Sequence, residues 1–155
     1  RTIPNTPAAV GRGITAMVAS EGVSQAQKDL ATSLLTCLGE VVSVDDEAHI
    51  DACTAISGSG PAYIFHMAEC LTAAGIELGL PQDIARQLAR ATVSGAGELM
   101  RVSGIEASTL RENVTSPKGT TYAALQVLMA EPGGMKELMI RATAEAARRS
   151  RELAG

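Results

Sequence analysis

PAYIFHMAECLTAAGIELGLPQDIARQLARATVSGAGELM, from Pro61 to Met100, reads as two helices joined by one tight turn. In the first, Ile64, Ala68, Leu71 and Gly75 recur at helical spacing, with Met67 and Leu78 beside them. Pro61 suits the first helical position, where its missing N–H would have had no partner anyway. Gly79-Leu80-Pro81 supplies the turn. Ile84, Leu88, Ala91, Gly95 and Leu99 then mark a second helix ending near Met100. Ala91 and Gly95 form a small-xxx-small step that lets another helix come close. Gly95 and Gly97 each cost a helix about 1 kcal/mol relative to Ala, so close packing or a kink is needed to explain them.

The helical reading extends to the end of the chain. Upstream, Asp45 or Asp46 caps a helix through Ala48, Ile50, Ala52 and Ile56, which Ser57-Gly58-Ser59-Gly60 breaks. Downstream, Glu106 to Glu112 is a short helix with Ser103 as a candidate cap. Tyr122 to Met129 follows, then a Glu131-Pro132-Gly133-Gly134 break, then a last helix from Met135 to Leu153. On that helix Glu137 with Arg141, and Glu145 with Arg149, stand at favourable i, i+4 spacing, and Arg148, Arg149 and Arg151 suit the negative end of the dipole.

Before residue 45 the pattern changes. Ile3-Pro4-Asn5-Thr6-Pro7 is extended and turn-like, because proline disfavours helix in the residue before it. GITAMV, from Gly13 to Val18, reads as a strand. Ser24 to Leu38 reads as a helix, with Ser24 as N-cap, Gln27 three residues on, leucines at 30, 34 and 38, and Gly39 as its stop. EVVSV, from Glu40 to Val44, is a short strand. Strand–helix–strand in about forty residues buries too little to stand as a domain.

Composition narrows the function classes. The chain has 155 residues, is 46% hydrophobic but only 2% aromatic, and carries a formal charge of −4. A core of Ala, Leu, Ile, Val and Met favours closely packed helices. A negative chain with three aromatic residues offers nucleic acid neither a basic surface nor a stacking platform. Cys37, Cys53 and Cys70 form no CxxC pair, so they read as free, buried thiols of a reducing cytosol. His49 and His66 stand without neighbours at metal-ligand spacing, and no metal site is expected. No run approaches the ~18 apolar residues of a membrane span, and the first ten residues do not form a signal peptide.

Two loops carry candidate chemistry. In NVTSPKGTTYAAL, Asn113 to Leu125, a polar loop runs into Thr120-Thr121 at a helix start. Unpaired N–H groups and the positive dipole end suit a carboxylate or phosphate there. An ordinary cap by Thr120 or Ser116 accounts for the same residues. SGSGPAY, Ser57 to Tyr63, lacks the third glycine of a dinucleotide fingerprint, and a plain helix–helix turn also explains it.

Five segments together carry a resemblance: RTIPNTPAAVGRG, AISGSGPAYIF, AGIELGL, LRENVTSPKGTTYAAL and AARRSREL. In order and spacing they resemble pyrroline-5-carboxylate reductase, which makes proline by reducing a cyclic imine with NADPH or NADH. The resemblance implies a mainly α fold. Residues 45–155 would be a helical dimerisation and substrate-binding domain of the 6-phosphogluconate-dehydrogenase-like type. Residues 1–44 would be a strand-helix-strand remnant of a Rossmann-like cofactor domain. It implies a cytoplasmic homodimer, with larger rings as a further step, and no nucleic-acid or membrane partner. Because the family's GxGxxG unit is not in these residues, the isolated chain is expected to be inactive.

The resemblance also assigns residues. Thr121 would orient the imine nitrogen as the catalytic residue. Glu47, Ser116, Gly119, Thr120 and Thr121 would bind substrate, with backbone N–H groups of Gly119, Thr120 and Thr121 around its carboxylate. Asn113, Ser57 and Gly58 would lie against the cofactor. Two positions depart from the family pattern. Lys118 stands where a glycine is usual, so it is strained if the backbone needs φ > 0, or else its ammonium adds charge beside the carboxylate. Met129 replaces an acidic or amide residue. The alternatives are a non-catalytic helical interaction module, and a related dehydrogenase for another small acid.

Overall fold

In the computed structural model, which describes residues 1–154, 68% of the chain is helical and the strands form one three-stranded sheet. The chain gathers into two compact units, Arg1–Tyr63 with the residues from Ile140 onward, and Ile64–Met139.

In the first unit, β1 (Thr2–Ile3) runs antiparallel to β2 (Gly13–Met17), and β3 (Gly39–Ser43) runs parallel to β2 on its other side. The parallel ladder opens on two glycines, Gly13 opposite Gly39. Gly39 has φ +136°, and a Cβ there would collide with the Gly13 backbone, so this register requires a residue without a side chain. Thr15, Ala16, Met17 and Val18 are buried. The segment expected to be merely extended holds β1 and then a 3-10 turn, Thr6–Val10, whose second residue is Pro7.

The helix α1 (Gln25–Leu35) begins on a capping box: Ser24 Oγ accepts from the Gln27 N–H, and Gln27 Oε1 accepts from the Ser24 N–H at 2.8 Å. It tightens to 3-10 geometry through Leu38 and stops at Gly39, as expected. Its inner face is not the leucine stripe. Leu30 and Leu34 are 61% and 65% exposed, while Ala31, Thr32 and Leu35, one position on, are half-buried.

Next, α2 (His49–Cys53) follows a turn in which Asp46 Oδ1 accepts from the Ala48 N–H at 2.8 Å. Its Ile50 is fully buried. The expected break at Ser57-Gly58-Ser59-Gly60 is not a loop. The chain widens into a π turn over Thr54–Gly58, closed by the Ser59 N–H to the Thr54 carbonyl at 2.8 Å, and α3 (Gly60–Glu77) starts at once. On α7 (Met135–Ala154), Ser150 Oγ donates to Asp51 Oδ1 at 2.6 Å, tying α7 to α2. The expected i, i+4 pairs re-sort. Arg148 holds both Glu145 and Glu152, Arg149 pairs with Glu152, and Glu137 accepts from the Gly133 N–H.

In the second unit, α3 and α4 (Gln82–Ser103) meet through small residues. A Cβ added to Gly75 would stand 3.0 Å from the Ala85 Cβ, and Ala85 and Ala89 are buried. The stripe read from the sequence lies elsewhere: Ile84, Leu88 and Leu99 are 41%, 52% and 54% exposed. Among the described residues nothing lies within 4 Å of a Cβ at Gly95 or Gly97, so no close packing among them explains those glycines. Helix α4 ends three residues beyond Met100, at Ser103, with Gly104 in the left-handed region. Glu106 precedes α5 (Ala107–Asn113) without a side-chain cap, and Ser103 Oγ accepts instead from the Ile105 N–H. Helix α6 (Thr120–Leu128) completes this unit. Among the described residues, no helix is long and apolar enough to cross a membrane.

Candidate functional site

The loop between α5 and α6 forms in two closures. Thr115 Oγ1 donates to the Arg111 carbonyl at 2.6 Å and Thr115 N–H to Glu112 at 2.9 Å, which ends α5. Ser116-Pro117-Lys118-Gly119 then makes a β-turn, with the Gly119 N–H on the Ser116 carbonyl at 3.0 Å. Proline at its second position and positive φ at its third are the signature of a type II turn. The third residue is Lys118, at φ 59°, the one non-glycine with positive φ among the described residues. Lysine is therefore strained at a position that suits glycine.

Neither Thr120 nor Ser116 caps α6. Gly119 occupies the N-cap, and no side chain bonds the first turn. The first helical bond runs from the Ala123 N–H to the Gly119 carbonyl at 3.1 Å, which leaves the N–H groups of Thr120, Thr121 and Tyr122 ahead of it. A serine or aspartate at the N-cap would have claimed one of those donors. The Gly119 N–H, expected at the carboxylate, is committed to the turn; Tyr122 supplies a third donor that the sequence reading missed. A Cβ at Gly119 would overlap Ser116 Oγ and stand 3.1 Å from the Ser116 carbonyl oxygen, so a larger residue has to turn the serine hydroxyl aside. Among the described residues, none hydrogen-bonds the side chains of Asn113, Ser116, Thr120 or Thr121. Thr121 and Gly119 are half-buried, and Asn113, Ser116 and Thr120 are exposed. Asn113 is the last residue of α5, so these five expected site residues flank one short loop.

The other three lie in the first unit. Glu47 sits in the turn ahead of α2, not in its first helical turn, and pairs with Arg1 across an exposed surface. An exposed pair of this kind contributes about 0–1 kcal/mol. Ser57 and Gly58 belong to the π turn, a feature frequent at functional sites. Ser57 Oγ donates to the Cys53 carbonyl at 2.9 Å, and its own carbonyl accepts from Asn5 Nδ2 at 3.1 Å. A Cβ at Gly58 would meet only Ile3 and Thr54 methyls at 3.5 and 3.6 Å, and one at Gly60 nothing within 4 Å. The chain's own packing thus does not demand glycine at either position, and only Gly60 faces open space, where a flat ligand has room.

Cysteine and histidine depart from expectation without forming a site. Cys37 and Cys70 are exposed and Cys53 is half-buried, so the free thiols are not core residues. His66 is not isolated: Nδ1 lies 2.9 Å from Glu69 and Nε2 3.6 Å from Cys70 Sγ. Among the described residues no three potential ligands gather to hold a metal ion.

The family model for pyrroline-5-carboxylate reductase dimerisation matches residues 47–153, and the chain belongs to this family. The pyrroline-5-carboxylate reductase of Pseudomonas aeruginosa is 44% identical over 154 residues, which are 99% of this chain and 56% of that protein. The chain thus spans about half the length of the curated relatives it matches. The solved structure of a Coxiella burnetii pyrroline-5-carboxylate reductase superposes with a TM-score of 0.91 at 42% identity, over 99% of this chain and 56% of that one. A Plasmodium falciparum pyrroline carboxylate reductase, solved with NADP bound, gives 0.83 at 29% identity, over 99% and 62%.

Proposed function

We propose that this chain provides the substrate-clamping and dimer-forming part of an NAD(P)H-dependent reductase that converts 1-pyrroline-5-carboxylate to L-proline in the cytoplasm. In this reading residues 45–155 clamp substrate and dimerise, and residues 1–44 close the cofactor domain. The observation that carries the reading is the uncapped start of α6, which keeps three backbone N–H groups and several hydroxyls without partners among the described residues, in a chain of this family.

The substrate has one carboxylate and one imine nitrogen. Its carboxylate accepts from the Thr120, Thr121 and Tyr122 N–H groups, aided by the helix dipole, with Ser116 Oγ at the rim. Thr121 Oγ1 donates to the imine nitrogen and orients the ring. A threonine hydroxyl is a better positioner than acid, so the rate comes from proximity and alignment. The nicotinamide, when bound, supplies the hydride for the adjacent ring carbon. The open face of Gly60 fits the approach of a flat ring. By the family resemblance, Asn113 is assigned to the cofactor and Glu47 to the substrate.

The exposed Ile84, Leu88 and Leu99 of α4, with the contact-free Gly95, support a second copy as the partner that covers that face. The test is NADPH oxidation and proline formation by the intact protein supplied with 1-pyrroline-5-carboxylate, together with light scattering. Proline formed by a dimer or larger assembly is expected. No proline would overturn the activity, and a monomer at micromolar concentration would overturn the assembly.

A further inference from the structure

A π turn shifts the backbone ladder by one residue, so carbonyls around it are open to side-chain donors. Four of them find side chains. Thr54 Oγ1 donates to Ile50 and Ser57 Oγ to Cys53, both at 2.9 Å; Tyr63 Oη donates to Ala55 and Asn5 Nδ2 to Ser57, both at 3.1 Å. The first three donors come from the same stretch of chain. Asn5 is 52 residues away, in the extended residue ahead of the first 3-10 turn. Its other amide atom, Oδ1, accepts from the Ile14 N–H of β2 at 3.0 Å.

One planar amide therefore joins the sheet to the π turn. The carbonyl it holds belongs to the peptide between Ser57 and Gly58, and a peptide is planar, so fixing that oxygen fixes the plane on both sides of it. Aspartate at this position lacks the donor for Ser57, and alanine reaches neither partner. We infer that Asn5 is a positioning residue for the cofactor side of the site, holding the Ser57–Gly58 peptide and with it the backbone that leads to the open face of Gly60, where the nicotinamide approaches. The inference rests on the reductase reading above for what meets that face, but not for the bridge itself.

Asn5→Asp in the intact protein separates the two bonds. It keeps an acceptor for Ile14 and turns a carboxylate oxygen toward the Ser57 carbonyl. Amide hydrogen exchange over residues 54–60 is expected to speed up at least tenfold, with the β2–β3 ladder unchanged. The KM for NADPH is expected to rise at least fivefold, with kcat within twofold. Asn5→Ala, which loses both bonds, is expected to accelerate exchange in the ladder as well. Unchanged or uniformly faster exchange in Asn5→Asp would overturn the bridge. Faster exchange at 54–60 with an unchanged KM would overturn its role in positioning cofactor. If the unsubstituted protein fails to bind NADPH, the reductase reading falls and the cofactor role with it, while the exchange result still decides the bridge.

Discussion

The threonine loop and the SGSG turn both present small polar residues beside a helix start, yet their hydrogen bonds are arranged in opposite ways. At Gly119–Tyr122 the first-turn N–H groups precede the helical ladder and no side chain takes them. At Thr54–Gly58 side chains already serve four carbonyls, and Ser57 is committed through both its hydroxyl and its carbonyl. In the proposed function the first region would recognise a ligand by offering donors that have no other partner. The second would do so by shape, as a surface whose bonds are closed and which opens at Gly60. Burying an unpaired donor carries a penalty of about 1–3 kcal/mol, so a clamp can remain uncapped only where water or an anion reaches it. The π turn is under no such requirement.

The sharpest way to break this contrast is to remove a donor from each side. Thr121→Ala in the intact protein takes away an uncommitted hydroxyl, and kcat/KM is expected to fall at least tenfold, about 1.4 kcal/mol or more. Thr121→Ser should recover most of the loss. Steady-state kinetics with 1-pyrroline-5-carboxylate checks both, and an unchanged kcat/KM for Thr121→Ala would remove the hydroxyl from the mechanism.

On the other side the larger effect should come from adding bulk. Gly60→Ala meets nothing within 4 Å in the chain, and alanine is the better helix former. Thermal stability should hold or rise slightly, while the KM for NADPH rises about fivefold, roughly 1 kcal/mol. A fall in Tm with an unchanged KM would mean that glycine is there for the fold.

Much of this was legible in the sequence, and what was missed has a common physical cause. The capping box at Ser24 and Gln27, the strand from Gly13 and the helix limits around Gly79 depend on local chemistry and stand as read, and the strand read at Glu40–Val44 lies one residue earlier, at Gly39–Ser43. Faces were harder. Leucines at 30 and 34, or Ile84 and Leu88, do lie on one side of a helix, but periodicity does not say whether that side meets its own chain. In both helices the residues one position on, Ala31 and Leu35, Ala85 and Ala89, face inward. The candidate loops were visible as motifs, whereas the bonds that distinguish them were not. The N-cap role of Gly119 follows from a turn whose third residue, Lys118, is left-handed, as one of the two readings of that position had it. The bridge from Asn5 joins residues 52 apart, beyond any local rule.

Lys118 offers a smaller and cleaner measurement, because its backbone and its charge can be separated. A non-glycine residue in the left-handed region costs about 1–2 kcal/mol. Lys118→Gly should therefore stabilise the protein by about 1 kcal/mol and raise Tm by roughly 2–4 °C. Lys118→Met keeps the strain and removes the charge. If the ammonium attracts the substrate carboxylate, both variants raise the KM for 1-pyrroline-5-carboxylate, more so at low salt. If only Lys118→Gly changes anything, and only in Tm, the lysine is a strained turn residue and the clamp works through backbone donors alone.

The smallest effect should come from Ser57→Ala, and its smallness is what the contrast requires. This hydroxyl already donates to Cys53 within its own helical run, so a ligand gains no free donor from it. Its removal takes away one local hydrogen bond, about 1 kcal/mol at most, and leaves the Ser57 carbonyl held by Asn5. Both kcat and the KM for NADPH should stay within twofold, with Tm lower by a few degrees at most. A tenfold rise in KM would put the Ser57 hydroxyl in direct contact with cofactor, and the two loops would then recognise their ligands by the same means.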